Sequence, residues 1–258
     1  MTDMTTTDIT TIKNISDYIE TFAPINTKEE WDNCGILIGN ENSKIKKAIL
    51  ALDITKEVID EAISKNCDLI ISHHPIIFEG IKNIEFDSNI AKLIENKIAA
   101  LCMHTNLDKA ESGVNDSLAL ALELKNTKRS PEEFLVTGEL AESMASIDFA
   151  KYTASKLNAE NLRYTISKGP VKSVAVSSGG GADAVFLNTK YGFDALVTSD
   201  VKHHQFLYAK EHNLCLIDAG HFNTENVVIP VLKNKLCDNF SNIEFICSET
   251  SCCPYKYI

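Results

Sequence analysis

Short apolar runs alternate with amphipathic segments along most of the chain. Residues 47–53, 68–72 and 99–103 have the length and composition of buried strands. Residues 56–64 and 89–97 carry apolar side chains at helical spacing. This alternation is typical of α/β proteins, in which helices connect parallel strands. We therefore predict an α/β fold with largely parallel or mixed sheets flanked by helices.

The second half of the chain repeats the pattern of the first. KNCDLIISHH at 65–74 and YGFDALVTSD at 191–200 align at an offset of 126, and each places a strand before a serine-containing turn. Internal duplication explains the repeat most simply. It predicts two similar lobes, which 258 residues are enough to form. The expected divisions are a first lobe at 1–126, completed by 222–258, a second lobe at 127–221, and a polar linker at 125–131.

The acidic balance of the chain limits its partners. There are 25 basic against 36 acidic residues, a net charge of −11, and only two arginines, Arg129 and Arg163. Arginine is the usual bidentate reader of phosphate groups and guanine edges. We therefore do not expect a nucleic-acid partner, whereas small-molecule ligands and metal ions stay open.

Neither membrane insertion nor a disulfide framework is indicated. No apolar run approaches the roughly 20 residues that span a bilayer, and the opening MTDMTTTDIT has no basic or apolar leader region. The eight cysteines form no C-x-x-C pair, and the spacing of the last four does not fit a zinc finger or ribbon. Free thiols in a reducing compartment fit better, so we expect a cytoplasmic protein without a membrane segment.

Two histidines follow the second predicted strand. His73 and His74 come directly after residues 68–72, and ligands of open α/β sheets bind beyond the carboxyl ends of the strands. Adjacent side chains on an extended backbone diverge, so these two imidazoles suit two neighbouring ions better than one. Two ordinary loop histidines would be the alternative if the pair stood alone.

Two further pairs of ligand-type residues follow other strands. His104 and Asp108 come after the third predicted strand, and His221 and Glu225 come after a strand predicted at 214–218. A spacing of four residues places both members of a pair on one face of a helical turn. Imidazole nitrogens and carboxylate oxygens suit Zn²⁺, Mn²⁺, Fe²⁺ or Ni²⁺ without selecting among them. The three strand ends together predict two divalent ions about 3.5–4 Å apart, as in many hydrolytic centres.

Other candidate residues have weaker support. His203 and His204 are adjacent within a predicted helix and point in different directions, so we do not favour metal binding there. The three glycines at 179–181 could hold an anion with their backbone amides or form a tight turn. Asp218 could orient an imidazole or cap the following turn. A serine nucleophile would call for a G-x-S-x-G motif, which the sequence lacks.

A family resemblance runs in order from about Ile12 to Leu236. Six segments carry it: WDNCGILIG, ISHHPIIF, HTNLDKAESGVNDSLA, the GGG turn, TSDVKHH and IDAGHFNTE. Together they resemble the GTP cyclohydrolase I type 2 family, also called the NGG-interacting-factor-three-like family. The resemblance is to the short form of the family, because 258 residues leave no room for the domain that longer members insert between the lobes.

This resemblance implies two similar α/β lobes with a dinuclear metal site in the cleft between them, and a ring-shaped homohexamer. Carried over position by position, the implied metal ligands are His73, His74, Asp108, His221 and Glu225, with Glu225 bridging two divalent ions. His104 would lie beside the ions as a ligand or a proton-transfer group, and we expect it to be the catalytic acid or base.

The activity that the family name implies is the opening of GTP to dihydroneopterin triphosphate with release of formate. The expected partner is therefore a small-molecule substrate of the nucleotide type. A non-enzymatic metal-binding scaffold or adaptor and a metal-dependent phosphoesterase are the alternatives that the same ligands allow. Two departures from the family pattern, TSD at 198–200 in place of TGD and KHH at 202–204 in place of KYH, leave all five implied ligands unchanged.

Overall fold

Strands and helices alternate along the chain much as the sequence predicts. The computed structural model describes residues 9–256, so the expectation that residues 1–8 hold no leader lies outside the described residues. The strands are β1 (Gly35–Ile38), β2 (Lys47–Ala51), β3 (Leu69–Ser72), β4 (Ala99–Cys102), β5 (Lys125–Ser130), β6 (Leu135–Met144), β7 (Arg163–Tyr164), β8 (Val171–Val176), β9 (Ala195–Thr198), β10 (Cys215–Asp218) and β11 (Glu244–Cys247). The α-helices are α1 (Ile12–Glu20), α2 (Lys56–Ser64), α3 (Asn89–Glu95), α4 (Thr105–Lys109), α5 (Val114–Ala121), α6 (Ser146–Leu157), α7 (Asn188–Tyr191), α8 (His203–Glu211), α9 (His221–Glu225) and α10 (Val228–Asn239).

Local sequence explains how a typical helix of this fold begins and packs. Thr55 precedes α2, and its side chain accepts the backbone N–H of Val58, which satisfies one of the donors that a helix start leaves open. Val58, Ile59 and Ala62 recur at helical spacing and are fully buried. They pack in one cluster with Ile70 of β3, so burial of this apolar face holds α2 on the sheet.

The first compact unit comprises residues 9–107 and Ile229–Ser251. Its sheet has the strand order β1-β4-β3-β2-β11. Strands β4, β3, β2 and β11 are parallel, and β1 runs antiparallel to β4 at the edge. Ile49, Ile70 and Leu93 of α3 are fully buried in its core. Because helices cover parallel strands, these strands are the nearly continuous apolar runs that the sequence shows.

The second compact unit comprises Asp108–Val228 and residues 252–256. Its sheet has the order β5-β6-β8-β9-β10-β7. Strands β8, β9 and β10 are parallel, whereas β5, β6 and β7 pair antiparallel with their neighbours. Val174, Val197 and Phe149 of α6 belong to its core. The predicted α/β class, with mixed sheets flanked by helices, is confirmed for both units.

The register of the two sheets supports the internal duplication. In the first unit Ala48 of β2 lies opposite Leu69 of β3, and in the second unit Val174 of β8 lies opposite Ala195 of β9. Both members of the second pair follow those of the first by the same offset of 126 that aligns the sequences. The repeated segment is therefore the same pair of parallel strands in each unit.

An aspartate before the second strand of each pair repeats as well. Asp68 accepts two successive backbone N–H groups at the start of β2, at 2.8 and 3.1 Å. Asp194 accepts two successive N–H groups at the start of β8, at 3.0 and 2.8 Å. The aspartate in KNCD and in YGFD thus performs the same local task of joining neighbouring strands, which explains why the two segments align.

The predicted linker at 125–131 is wrong. Lys125–Ser130 forms the edge strand β5, which pairs antiparallel with β6. Nearly all of β5 is exposed to solvent. A polar edge strand and a polar linker have the same composition, because solvent-facing strands at a sheet edge favour charged residues.

The boundaries of the two units differ from those expected for the two lobes. The first boundary falls between Leu107 and Asp108 rather than after residue 126, and the chain returns to the first unit at Ile229 rather than at 222. Helix α5 lies in this interval, and its Leu118 packs into the core of the second unit. Burial of α5 on the second sheet therefore sets the division.

Membrane and disulfide chemistry are absent from the described structure. No helix within residues 9–256 has the length and apolar character needed to cross a membrane. All eight cysteines lie in that range and are free thiols, as expected. None of them belongs to a cluster of described residues that could hold a metal ion.

Candidate metal centre

Three imidazoles of the first unit lie side by side. His73 and His74 follow β3, and His104 follows β4, the parallel neighbour of β3. The ring centroid of His73 is 5.0 Å from that of His74 and 5.2 Å from that of His104, and His74 and His104 are 5.5 Å apart. One ligand nitrogen of each lies within 4.8 Å of the other two. The parallel strand ends thus bring together the three histidines that the sequence selected in this unit.

Each of these rings is held at Nδ1 by a hydrogen-bond acceptor. The contacts are His73 Nδ1 to the Met103 carbonyl at 2.9 Å, His74 Nδ1 to Asp53 Oδ1 at 2.7 Å, and His104 Nδ1 to Asp32 Oδ1 at 2.8 Å. A carbonyl and an ionised carboxylate only accept, so the proton of the neutral ring sits on Nδ1 and the lone pair on Nε2. Such an acceptor behind Nδ1 is the usual support of a histidine that binds a metal through Nε2.

Asp32 makes the largest number of contacts among these acceptors. Its buried carboxylate also accepts the Asn33 N–H at 2.7 Å, the Cys34 thiol at 3.1 Å, and the N–H and hydroxyl of Thr105. Burial alone would raise the pKa of Asp32, but the hydrogen bonds from His104, Thr105 and Cys34 outweigh it and hold that pKa well below its usual value. Asp32 is therefore ionised at neutral pH and fixes the orientation of His104.

A second group of ligand-type residues lies in the second unit. His221 begins α9 and Glu225 ends it, and His221 Nε2 is 3.0 Å from Glu225 Oε2. His221 Nδ1 donates to Asp200 Oδ2 at 2.7 Å. Burial of the ring opposes its protonation, but the hydrogen bonds and charges of Glu225 and Asp200 outweigh this and raise the pKa of His221 to about 9. The two carboxylates thus favour a positive charge at this position.

Gly179 leaves the space that this pair occupies. It has a φ of +55°, and a Cβ there would lie 1.9 Å from Glu225 Oε1 and 3.2 Å from His221 Nε2. Its N–H donates to the Thr224 hydroxyl at 3.1 Å, which ties the turn to α9. Only glycine allows both the left-handed backbone and the close approach of the carboxylate. Asp108 adds a second carboxylate, with an oxygen within 4.8 Å of one from Glu225.

The carboxylate acceptors behind the imidazoles are residues of the candidate site that sequence reasoning did not assign to it. Asp53 and Asp200 follow β2 and β9, each the neighbour in its sheet of the strand that precedes the histidine it holds. A search for aspartates after adjacent parallel strands would have found both. Asp32 lies in a loop before β1, and no local pattern marks it. Asp218, the candidate for this role, instead accepts a hydrogen bond from the Arg163 guanidinium.

His203 and His204 do not belong to the candidate clusters among the described residues. His204 stacks on Phe186 with a centroid distance of 6.4 Å and an angle of 9° between the planes.

The donors in both units have the chemistry that divalent ions require. In each unit imidazole nitrogens or carboxylate oxygens of described residues lie close enough together to contribute to a metal site. Rings oriented through Nδ1 and a carboxylate lodged against a glycine are features of a preformed set of ligands. Nitrogen and oxygen donors without thiolates suit Zn²⁺, Mn²⁺, Fe²⁺ or Ni²⁺.

Comparison with known proteins connects this chain to one family. The sequence profile of Duf34/NIF3 (NGG1p interacting factor 3) matches residues 10–254. A Clostridium acetobutylicum protein named GTP cyclohydrolase 1 type 2 homolog is 34% identical over 263 aligned positions, covering 95% of this chain and 98% of that protein.

Solved structures show the same fold. The crystal structure of Staphylococcus aureus hypothetical protein SA1388 has a TM-score of 0.90 and 31% identity, covering 97% of this chain and 100% of that one. Reduced HcgD from Methanocaldococcus jannaschii has a TM-score of 0.78 and 30% identity, covering 93% of this chain and 98% of that one. The sequence resemblance described above is therefore confirmed.

Proposed function

The chain belongs to the Duf34/NIF3 (NGG1p interacting factor 3) family, and from this premise we propose that it is a dinuclear metal-dependent hydrolase. The proposed ligands of the two divalent ions are His73, His74, Asp108, His221 and Glu225. One observation carries the proposal: every imidazole among these ligands is held at Nδ1 by an acceptor, so that Nε2 is the metal-binding nitrogen. His104, which is not one of the ligands, is held at Nδ1 in the same way.

The charges of the ligands support two ions rather than one. Asp108 and Glu225 together carry a charge of about −2, and a pair of divalent ions carries about +4, so the loaded centre would keep a positive charge that attracts an anionic substrate. Asp200 and Glu225 lie 2.7 and 3.0 Å from the two nitrogens of the His221 ring, so their negative charges also favour a cation at this place. Zn²⁺, Mn²⁺, Fe²⁺ and Ni²⁺ all suit the donors.

GTP is the proposed substrate, because several relatives carry the name GTP cyclohydrolase 1 type 2 homolog. The reaction would open the purine ring to dihydroneopterin triphosphate and release formate. Bound divalent ions would supply Lewis acidity, which lowers the pKa of water to near neutrality. By the same family relation we propose a homohexamer as the assembled form.

His104 is the proposed proton-transfer residue. Its Nδ1 donates to the ionised Asp32, so Nε2 is the atom that takes up or returns a proton. The buried carboxylate holds the imidazole in this orientation, in the same way as an aspartate positions a catalytic histidine in hydrolases. Asp32 acts through His104 and is therefore a positioning residue.

A formate assay tests the proposed activity. Protein loaded with each of the four metals would be incubated with GTP, and formate would be measured alongside hydrolysis of a panel of phosphoesters. We expect formate release that is lost in His74→Ala and kept in His212→Ala. His212 is a suitable control because it is an exposed histidine whose Nδ1 bonds the Tyr208 carbonyl.

Two results would contradict the proposal in different ways. Metal-loaded protein that is inert toward GTP and every phosphoester would support a metal-binding scaffold. Turnover of phosphoesters without formate release from GTP, lost again in His74→Ala, would support a phosphoesterase.

A further inference from the structure

An exposed pair of aromatic rings stands beside His104 in the first unit. Trp31 and Phe78 stack on each other with centroids 5.7 Å apart and planes 21° apart. Their side chains are 58% and 47% exposed, although aromatic rings of this size are usually largely buried. Trp31 is 5.9 Å and Phe78 6.0 Å from the His104 ring, both with the planes nearly perpendicular.

The two segments that carry these rings are fixed to the fold and to each other. Asn33 Nδ2 donates to the Ile77 carbonyl at 2.7 Å, which joins the segment of Trp31 to that of Phe78. Asp32, next to Trp31, is buried, and its carboxylate accepts hydrogen bonds from His104 and Thr105. The rings are therefore exposed, while the backbone that carries them is already held in place. Stacking of a ligand on them would cost the protein little additional backbone entropy.

We propose that Trp31 and Phe78 form a platform that binds the planar heteroaromatic ring of the substrate by stacking. Purines and similar planar rings bind proteins by stacking on the flat faces of aromatic side chains. Such stacking is strong and works for any base, because every base has a π-face. The edge contacts with His104 place such a ring next to the proposed proton-transfer residue. That the stacked ring belongs to a substrate rests on the proposed function, whereas the binding of the ring can be measured without turnover.

Trp31 is the only tryptophan of the chain, so its fluorescence reports on the platform directly. Guanosine 5′-monophosphate would be titrated into metal-free and metal-loaded protein, with ribose 5-phosphate as the matched probe that lacks the base. We expect saturable quenching by the nucleotide and none by the sugar phosphate. Calorimetry should show that Trp31→Phe keeps binding within about threefold, whereas Trp31→Leu and Phe78→Leu each weaken it about tenfold or more.

Phe86→Leu is the matched control, because Phe86 is 94% exposed and takes no part in the platform. Equal quenching by nucleotide and sugar phosphate would overturn the proposal, and so would unchanged nucleotide affinity in Trp31→Leu and Phe78→Leu. Trp31 emission that is unchanged by the nucleotide but shifts on dilution of the protein would also overturn it, because the rings would then lie in a contact between copies of the chain. Quenching without any formate release would leave the platform intact and refute only the proposed reaction.

Discussion

Replacing Gly179 with alanine tests how closely Glu225 must approach the turn at 179–181. The added Cβ would lie 1.9 Å from Glu225 Oε1, and contacts below 3.0 Å essentially do not occur, so the carboxylate must retreat by about 1 Å or more. Metal–ligand distances in proteins vary by only about 0.2 Å, so a displacement of this size removes Glu225 from any ion that it binds. We expect metal affinity to fall about 100-fold, which corresponds to about 2.7 kcal/mol.

The neighbouring glycine provides the control. Gly180 has a φ of −71°, and a Cβ there would have no atom within 4 Å, so Gly180→Ala should bind metal as the wild type does. Gly179→Ala should also lose about 1–2 kcal/mol of unfolding free energy, because alanine disfavours the left-handed backbone at φ +55°. Competition with a chromophoric chelator would measure affinity, and urea unfolding would confirm that both variants fold. Equal metal affinity in the two variants would refute the reasoning.

The remaining predictions concern two buried carboxylates outside the ligand set. Desolvation opposes the charge of Glu61, but hydrogen bonds from Lys65 and the segment Ser248–Thr250 outweigh it and lower the pKa of Glu61 from 4.5 to about 2, so Glu61→Gln should cost about 2–3 kcal/mol at neutral pH. A lowered folded-state pKa gives stability that is present above pH 4.5 and lost as the pH falls toward 2. In urea unfolding, the free energies of unfolding of the wild type and Glu61→Gln should therefore converge in acid. A difference that stays constant with pH would contradict this. Glu249→Gln, at a carboxylate 81% exposed, should change stability by less than about 0.5 kcal/mol. Asp32→Asn should move the His104 proton from Nδ1 to Nε2, visible in ¹⁵N NMR, and lower formate release about 10–100-fold; an unchanged tautomer would show that Asp32 does not orient the ring.

Hydrophobic pattern predicted the parallel strands because burial on both faces leaves a clear signature. Residues 68–72 and 99–103 became β3 and β4 with shifts of one residue at their ends. The offset of 126 was visible because one pair of parallel strands in each unit, β2–β3 and β8–β9, keeps both its register and its aspartate. Ligand-type histidines were visible for a related reason, since they lie where parallel strands end.

Features that depend on tertiary pairing were not visible. The polar strand Lys125–Ser130 was interpreted as a linker because its composition does not show that it pairs with another strand. Its hydrogen bonds to β6 are visible only in the folded structure. Asp32 was not selected, because its carboxylate binds His104 and Thr105, which lie more than 70 positions away in the sequence. Gly179 carried a glycine signal, but the reason for it is the side chain of Glu225, which the sequence alone does not place nearby.

Metal content per subunit tests the central proposal most directly. Purified protein would be loaded with Zn²⁺ or Mn²⁺, dialysed, and analysed by mass spectrometry of the metal, beside Glu225→Gln and the His212→Ala control. We predict close to two ions per subunit in the wild type and in His212→Ala, and one or none in Glu225→Gln with an unchanged circular dichroism spectrum. A folded wild-type protein that retains no metal, or a Glu225→Gln variant that retains two ions, would contradict the assignment of these ligands.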